Sequence, residues 1–158
     1  TELYKNTIKK ILKLQTSFSS IYNFKISPPF IEDRGSMINW SPIGRMSDFD
    51  TRIKFYEFDN EHNLRKEYVD ILNSCLNRND SNKIKISLGG KTSIDIFPIG
   101  WDKTFVFNYI NKDNIVFFGD KCKPGENDYE IYNSLPNGKR YFVSDPLDTM
   151  SIIKSILD

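Results

Sequence analysis

The sequence predicts an α/β chain in two parts: an α+β unit on an antiparallel sheet over residues 1–100, then the C-terminal portion of an α/β unit over residues 101–158. Three observations carry this. Around Gly89-Gly90 the apolar residues recur with period two: Ile84, Ile86 and Leu88 alternate with Lys83, Lys85 and Ser87, and Ile94 and Ile96 return against Ser93 and Asp95. Helical patterns precede and interrupt such strands, which puts helices on one sheet face and leaves the other polar. After Pro98, Gly100 and Trp101 the strand and helix signals alternate, the mark of a parallel sheet. Two or three strands cannot cover a parallel sheet on both faces, so further partner strands are expected from sequence outside these residues.

Each element follows in order. Tyr4, Ile8, Ile11, Leu12 and Tyr22 lie at helical spacing, and Pro28-Pro29 ends that helix. Residues 30–34 and 37–41 form a hairpin around Gly35-Ser36. Ser47 with Asp50 reads as a capping box opening a helix through Arg52 and Phe55. A second helix carries Leu64, Tyr68, Ile71, Leu72 and Cys75 on one stripe, and the 84–97 hairpin follows. Beyond the break, residues 102–110 read as a helix and 114–118 as a fully buried strand. Asn127-Asp128 starts a short helix, 141–143 is a strand, and Asp145-Pro146 with Asp148 opens the last helix.

Composition narrows the function. With 39% hydrophobic and 27% charged residues the chain is a globular one, not a disordered one. Basic and acidic side chains number 22 and 21, a balance that argues against a general nucleic-acid binder. No apolar run reaches the length of a membrane span, and no signal-peptide pattern opens the chain. Cys75 and Cys122 show no metal spacing and read as reduced thiols, and His62 as the only histidine nearly excludes a histidine-based triad or metal site. The chain starts at Thr1 and enters a helix directly, which suggests a processed or excised piece of a longer protein.

The residues that carry chemistry fall in both parts. An apolar strand ends in Gly119-Asp120, and strand ends carry the ligand site of a parallel sheet. Asp128 returns a second carboxylate eight residues later; hard oxygen donors of this kind suit Mg²⁺, although a helix-capping aspartate is a commoner use. Lys103 is either a surface lysine or a fixed cation beside a phosphorylated carboxylate. In the first part Arg34, Arg45 and Arg52 could converge on a phosphate dianion or be unrelated surface cations. Ser93 and Asp95 share the polar face of their strand, either solvated or recognising sugar hydroxyls.

Six strings stand in order: Phe30-Ile31-Glu32-Asp33-Arg34, Ser41-Pro42-Ile43-Gly44-Arg45, Arg52-Ile53-Lys54-Phe55-Tyr56-Glu57, Ser93-Ile94-Asp95-Ile96-Phe97-Pro98, Gly100-Trp101-Asp102-Lys103 and Phe117-Phe118-Gly119-Asp120-Lys121. Together they resemble the eukaryotic phosphomannomutases of the haloacid dehalogenase superfamily, over almost all of the chain from Phe30 onward. The resemblance implies a cap domain over residues 1–100 and the C-terminal portion of a Rossmann-type core after it. It implies that Arg34, Arg45 and Arg52 grip the sugar's non-reacting phosphate, that Ser93 and Asp95 contact substrate, that Lys103 and Asp128 are catalytic, and that Asp120 binds Mg²⁺. The family's nucleophile motif, two aspartates flanking one residue and followed by Gly-Thr, is not in these residues, nor is an arginine that follows it. Ile99, Glu126 and Tyr129 stand where aspartate, glycine and histidine are usual, and the family's peripheral cation site is not recognisable around residues 132–136.

The implied activity interconverts mannose 6-phosphate and mannose 1-phosphate, through an aspartyl-phosphate and a sugar 1,6-bisphosphate that is also the activator. Mg²⁺, a hexose phosphate substrate, a homodimer through the cap and a cytoplasmic location in GDP-mannose supply are implied with it. Neither nucleic acid nor membrane is expected as partner, and these residues alone are expected to be inactive. Two alternatives stay open: a sugar-phosphate phosphatase of the same superfamily, and a truncated, non-catalytic chain that binds hexose phosphate or dimerises.

Overall fold

A computed structural model describes residues 2–76, 80 and 82–157. The chain divides into two compact units, Thr1–Ile99 and Gly100–Asp158. The first runs α1 (Glu2–Ile21), β1 (Ile31–Asp33), β2 (Ile38–Trp40), α2 (Phe49–His62), α3 (Leu64–Ser74), β3 (Ile84–Gly89) and β4 (Ser93–Pro98). Its sheet is antiparallel throughout, in the order β1-β2-β4-β3. Both predicted hairpins form. Gly35, at φ 74°, turns the first, and Arg34 N donates to Met37 O at 2.9 Å across it. In the second, Ile86 pairs with Ile96 and Leu88 with Ile94.

Period-two alternation places Ile38, Trp40, Ile86, Ile94 and Ile96 in the core, where they join Ile11, Phe18, Phe55, Leu64, Tyr68 and Leu72 from the helices. Trp40 stacks on Tyr68 at 5.3 Å, and Phe55 meets Phe18 and Phe24 edge-on at 6.0 and 5.5 Å. Such pairs add about 0.5–1.5 kcal/mol each to the burial itself. A polar residue, Gln15, lies in the same region: it receives the Trp40 indole N–H at 2.7 Å and donates to Pro42 O at 2.9 Å. The buried stripe of α1 is therefore Thr7, Ile11, Gln15 and Phe18, and the predicted Leu12 is exposed. On α3, Cys75 likewise falls off the buried stripe, whose members are Leu64, Arg65, Tyr68 and Leu72.

The start of α2 also differs from the capping box expected at Ser47. Asp48 is the cap, its side chain accepting from Thr51 N at 2.9 Å, while Ser47 Oγ turns back to Ile43 O at 2.6 Å. Aspartate is the stronger acceptor for the orphan amides, so the boundary moves by one residue. A single left-handed residue, Asn63, ends α2 and begins α3.

The second unit contains β5 (Phe117–Gly119), α4 (Tyr129–Ser134), β6 (Arg140–Phe142) and α5 (Pro146–Leu157), with β5 and β6 parallel. Residues 102–110 do not make an α-helix: Lys103–Asn108 is a 3₁₀ segment capped by Asp102, which accepts from Thr104 N at 2.9 Å. The strand expected over 114–118 is shorter and half-buried, with Val116 exposed. Among the described residues β5 pairs with β6 alone, so one edge of it has no neighbour to bury it. No helix among the described residues is long and apolar enough to cross a membrane.

Candidate functional site

On the face of the antiparallel sheet opposite the core, one cross-strand row runs Glu32, Asn39, Asp95, Ser87, from β1 through β2 and β4 to β3. Asn39 Nδ2 donates to Asp95 Oδ1 at 2.6 Å. Glu32 was missed from sequence, yet it organises the arginines. Its Oε2 receives Arg34 at 2.6–2.7 Å and faces Arg45 Nε at 3.6 Å. Two of the three predicted arginines thus converge on a single carboxylate oxygen.

The third, Arg52, is hydrogen-bonded to the loop that carries Arg45. Arg52 donates Nε to Ser47 O at 3.0 Å and Nη2 to Arg45 O at 2.5 Å, so it braces the loop that presents Arg45. That loop is also sewn to the preceding segment: Ser27 N donates to Ile43 O, Arg45 N to Pro29 O and Met46 N to Ser27 O. Gly44 makes this approach possible. Its φ is 89°, and a Cβ there would lie 1.9 Å from Ser27 O.

Asp95 is half-buried between these groups. Burial pushes its carboxyl above the usual range, against the hydrogen bond from Asn39 and the charges of Arg34, Arg45 and Arg65. Ser93, on the same side of β4, is buried rather than solvated, and its Oγ donates to Gly89 O at 3.1 Å. Behind this hairpin Arg65 is buried too. It pairs with Asp59 Oδ2 at 2.8 Å, and its Nη1 donates to the carbonyls of Gly89, Gly90 and Ser93 at 2.9–3.3 Å. Nothing in the sequence marks Arg65 as buried, since it sits in a Leu64-Arg65-Lys66 run like any surface cation.

The second unit holds the other predicted residues. Asp120 is exposed immediately past β5, with no hydrogen bond or ion pair among the described residues. Asp128, 3% exposed, occupies the N-cap position of α4 without capping it. Its Oδ1 is instead paired with the Lys103 ammonium, and its Oδ2 accepts Lys121 N at 3.2 Å. A Cβ on Gly119 would come within 2.9 Å of Asp128 Oδ2, so the glycine leaves room for that carboxylate. Cys122 lies beside them with its thiol pushed upward by burial and by Asp128, Glu126 and Asp120. The donor set for a hard cation is one free carboxylate, Asp120; no cluster of three or more metal-capable side chains occurs among the described residues. That suits Mg²⁺, which takes one or two protein carboxylates and fills its remaining positions with water and phosphate oxygens.

Comparisons with known proteins bear on this arrangement. The family model described as eukaryotic phosphomannomutase matches residues 1–158. A phosphomannomutase of Drosophila melanogaster is 37% identical over 161 residues, covering 99% of this chain and 62% of the relative. Phosphomannomutase 1 of Dictyostelium discoideum is 41% identical over 130 residues, covering 80% of this chain and 51% of the relative. The chain spans about half the length of the curated relatives it matches. Among solved structures, the N-terminally truncated, IMP-bound IMP-nucleotidase of Plasmodium falciparum aligns at a TM-score of 0.53 and 12% identity, over 100% of this chain and 38% of that one. That likeness concerns the fold alone, and it agrees with the α/β class read from the sequence.

Proposed function

Because the chain belongs to the eukaryotic phosphomannomutase family, we propose that the whole protein interconverts mannose 6-phosphate and mannose 1-phosphate. The observation that carries this reading is the convergence of Arg34 and Arg45 on one oxygen of Glu32 beside Asp95. Two guanidinium groups drawn to one carboxylate could take a phosphate in its place, with a polar strand face beside it for sugar hydroxyls. Arg52 completes the proposed grip and also fixes the Arg45 backbone. In this reading residues 1–100 are the substrate-binding cap and residues 101–158 the C-terminal portion of the core.

The phosphoryl group passes from an aspartyl-phosphate to the free hydroxyl of the sugar phosphate, giving a 1,6-bisphosphate, and the other phosphate then returns to the aspartate. No string of two aspartates flanking one residue and followed by Gly-Thr occurs in the 158 residues. The nearest pattern, Asp48-Phe49-Asp50-Thr51, is the start of α2, where Asp48 is tied to Lys25 and Thr51. These residues alone should therefore show no turnover. Asp120 would hold Mg²⁺, which supplies charge neutralisation at the transferring phosphoryl oxygens. Lys103, positioned by the buried Asp128, would place a cation beside the same group. A homodimer through the first unit and a cytoplasmic setting belong to the same reading.

Incubating the full-length protein with mannose 1-phosphate, Mg²⁺ and a sugar 1,6-bisphosphate tests it. Mannose 6-phosphate should form faster than free phosphate. Absence of isomerisation overturns the proposal, and phosphate release in excess of isomerisation points to a phosphatase on this fold.

A further inference from the structure

Among the described residues one buried side-chain polar atom lacks a hydrogen-bond partner, and it is Oδ1 of Asn39. The residue is 3% exposed. With Asp95 ionised, the 2.6 Å bond from Nδ2 sets the Asn39 amide sense, because the reverse orientation would set two acceptors against each other. A buried carboxamide oxygen without a donor is rare enough in folded proteins to ask for a use.

Its place in the sheet suggests one. Asn39 is paired with Glu32 on one side and Asp95 on the other. Arg34 and Arg45 reach Glu32, the neighbour of Asn39 on β1, and the same two charges act on Asp95, its neighbour on β4. A phosphate dianion competes with the singly charged Glu32 for those forks, and a sugar attached to it would lie beside the Asn39 amide. The dianion carries no proton to offer Oδ1. A hydroxyl on the attached sugar does.

We propose that Asn39 is a substrate-specificity residue: its carboxamide oxygen accepts a hydroxyl hydrogen of the hexose phosphate whose phosphate displaces Glu32 from Arg34 and Arg45. This rests on the reading that those arginines grip phosphate. A site built to accept a hydroxyl rejects analogues that lack it, because the acceptor is then left unpaired.

The test is calorimetric titration of the full-length protein with mannose 1-phosphate, its monodeoxy analogues and inorganic phosphate. Wild type is compared with Asn39→Leu, which keeps the volume without the acceptor, and Asn39→Ser, which is small enough to fold if leucine is not tolerated. Both variants should bind mannose 1-phosphate about tenfold or more weakly, while inorganic phosphate binding stays within about twofold. One deoxy analogue should lose a similar factor in wild type and nothing further in the variants. Unchanged mannose 1-phosphate affinity, equal losses for sugar and inorganic phosphate, or no analogue showing that coupling each overturn the assignment. Arg45→Ala separates the two readings. If it weakens inorganic phosphate binding while the Asn39 variants behave as wild type, Asn39 alone is misassigned; if it changes nothing, the phosphate grip fails and the Asn39 assignment with it.

Discussion

Asp95 is costly to the fold at neutral pH, and that cost has a measurable sign. Its carboxyl is held above the usual range chiefly by burial. From about pH 4 upward the unfolded chain has released this proton while the folded chain still keeps it. Stability therefore falls as pH rises through the window up to the raised value and is flat beyond it. Asp95→Asn removes the dependence, so the variant should gain stability over wild type across that window and hold the gain at pH 7. Urea unfolding of both proteins over this range checks it; a constant difference at every pH would contradict the assignment. Arg65 gives the opposite case, a charge whose loss the fold cannot absorb. Arg65→Met leaves Asp59 buried without a cation and removes the Nη1 donor from the carbonyls of Gly89, Gly90 and Ser93, which should cost about 3–5 kcal/mol. Changing Asp59 to leucine as well should recover a large part of that loss in the same unfolding experiment.

Among the elements, the loop between β2 and α2 is the one most exposed to a small change. It carries Arg45 on a glycine at φ 89° packed against Ser27 O. Gly44→Ala should destabilise the protein by roughly 2–4 kcal/mol and weaken phosphate binding further than Arg52→Lys does. Thermal unfolding and phosphate titration of the two variants decide this. Both hairpins were legible in the sequence because alternation and turn glycines agree there, each reinforcing the other. The 102–110 segment was not, since a consecutive apolar run, Phe105-Val106-Phe107, after an Asp102 cap does not tell an α-helix from a 3₁₀ segment. The arginine pair was legible as residue types, whereas its organiser was not. Glu32 and Asn39 occupy a strand face, where sequence cannot tell a solvated carboxylate from one that two cations share.

For the whole molecule the two units differ in what holds them. The first packs a core of twelve buried apolar side chains under a four-stranded sheet. In the second, the buried apolar side chains among the described residues are Cys122, Ile131, Leu135 and Val143, beside a two-stranded sheet. Every residue of α5 remains partly or wholly accessible, including Leu147, Met150 and Leu157. Amide exchange on the 158-residue chain should therefore show protection in β2, β4 and α3 well above any in β5, β6 or α5. Equal protection in both units would mean that they unfold as one.

The Arg65 guanidinium also alters how variation in this family member should be interpreted. One nitrogen holds the carbonyls on both flanks of the β3–β4 turn, and the strand leaving that turn carries Ser93 and Asp95. The shape of β4 is thus written partly on the two helices behind it, at Asp59 of α2 and Arg65 of α3, which face the core. Under the proposed role of Ser93 and Asp95, an inherited or engineered change at Asp59 would surface in a ligand screen as altered sugar discrimination, and be mistaken for a lesion in the binding face.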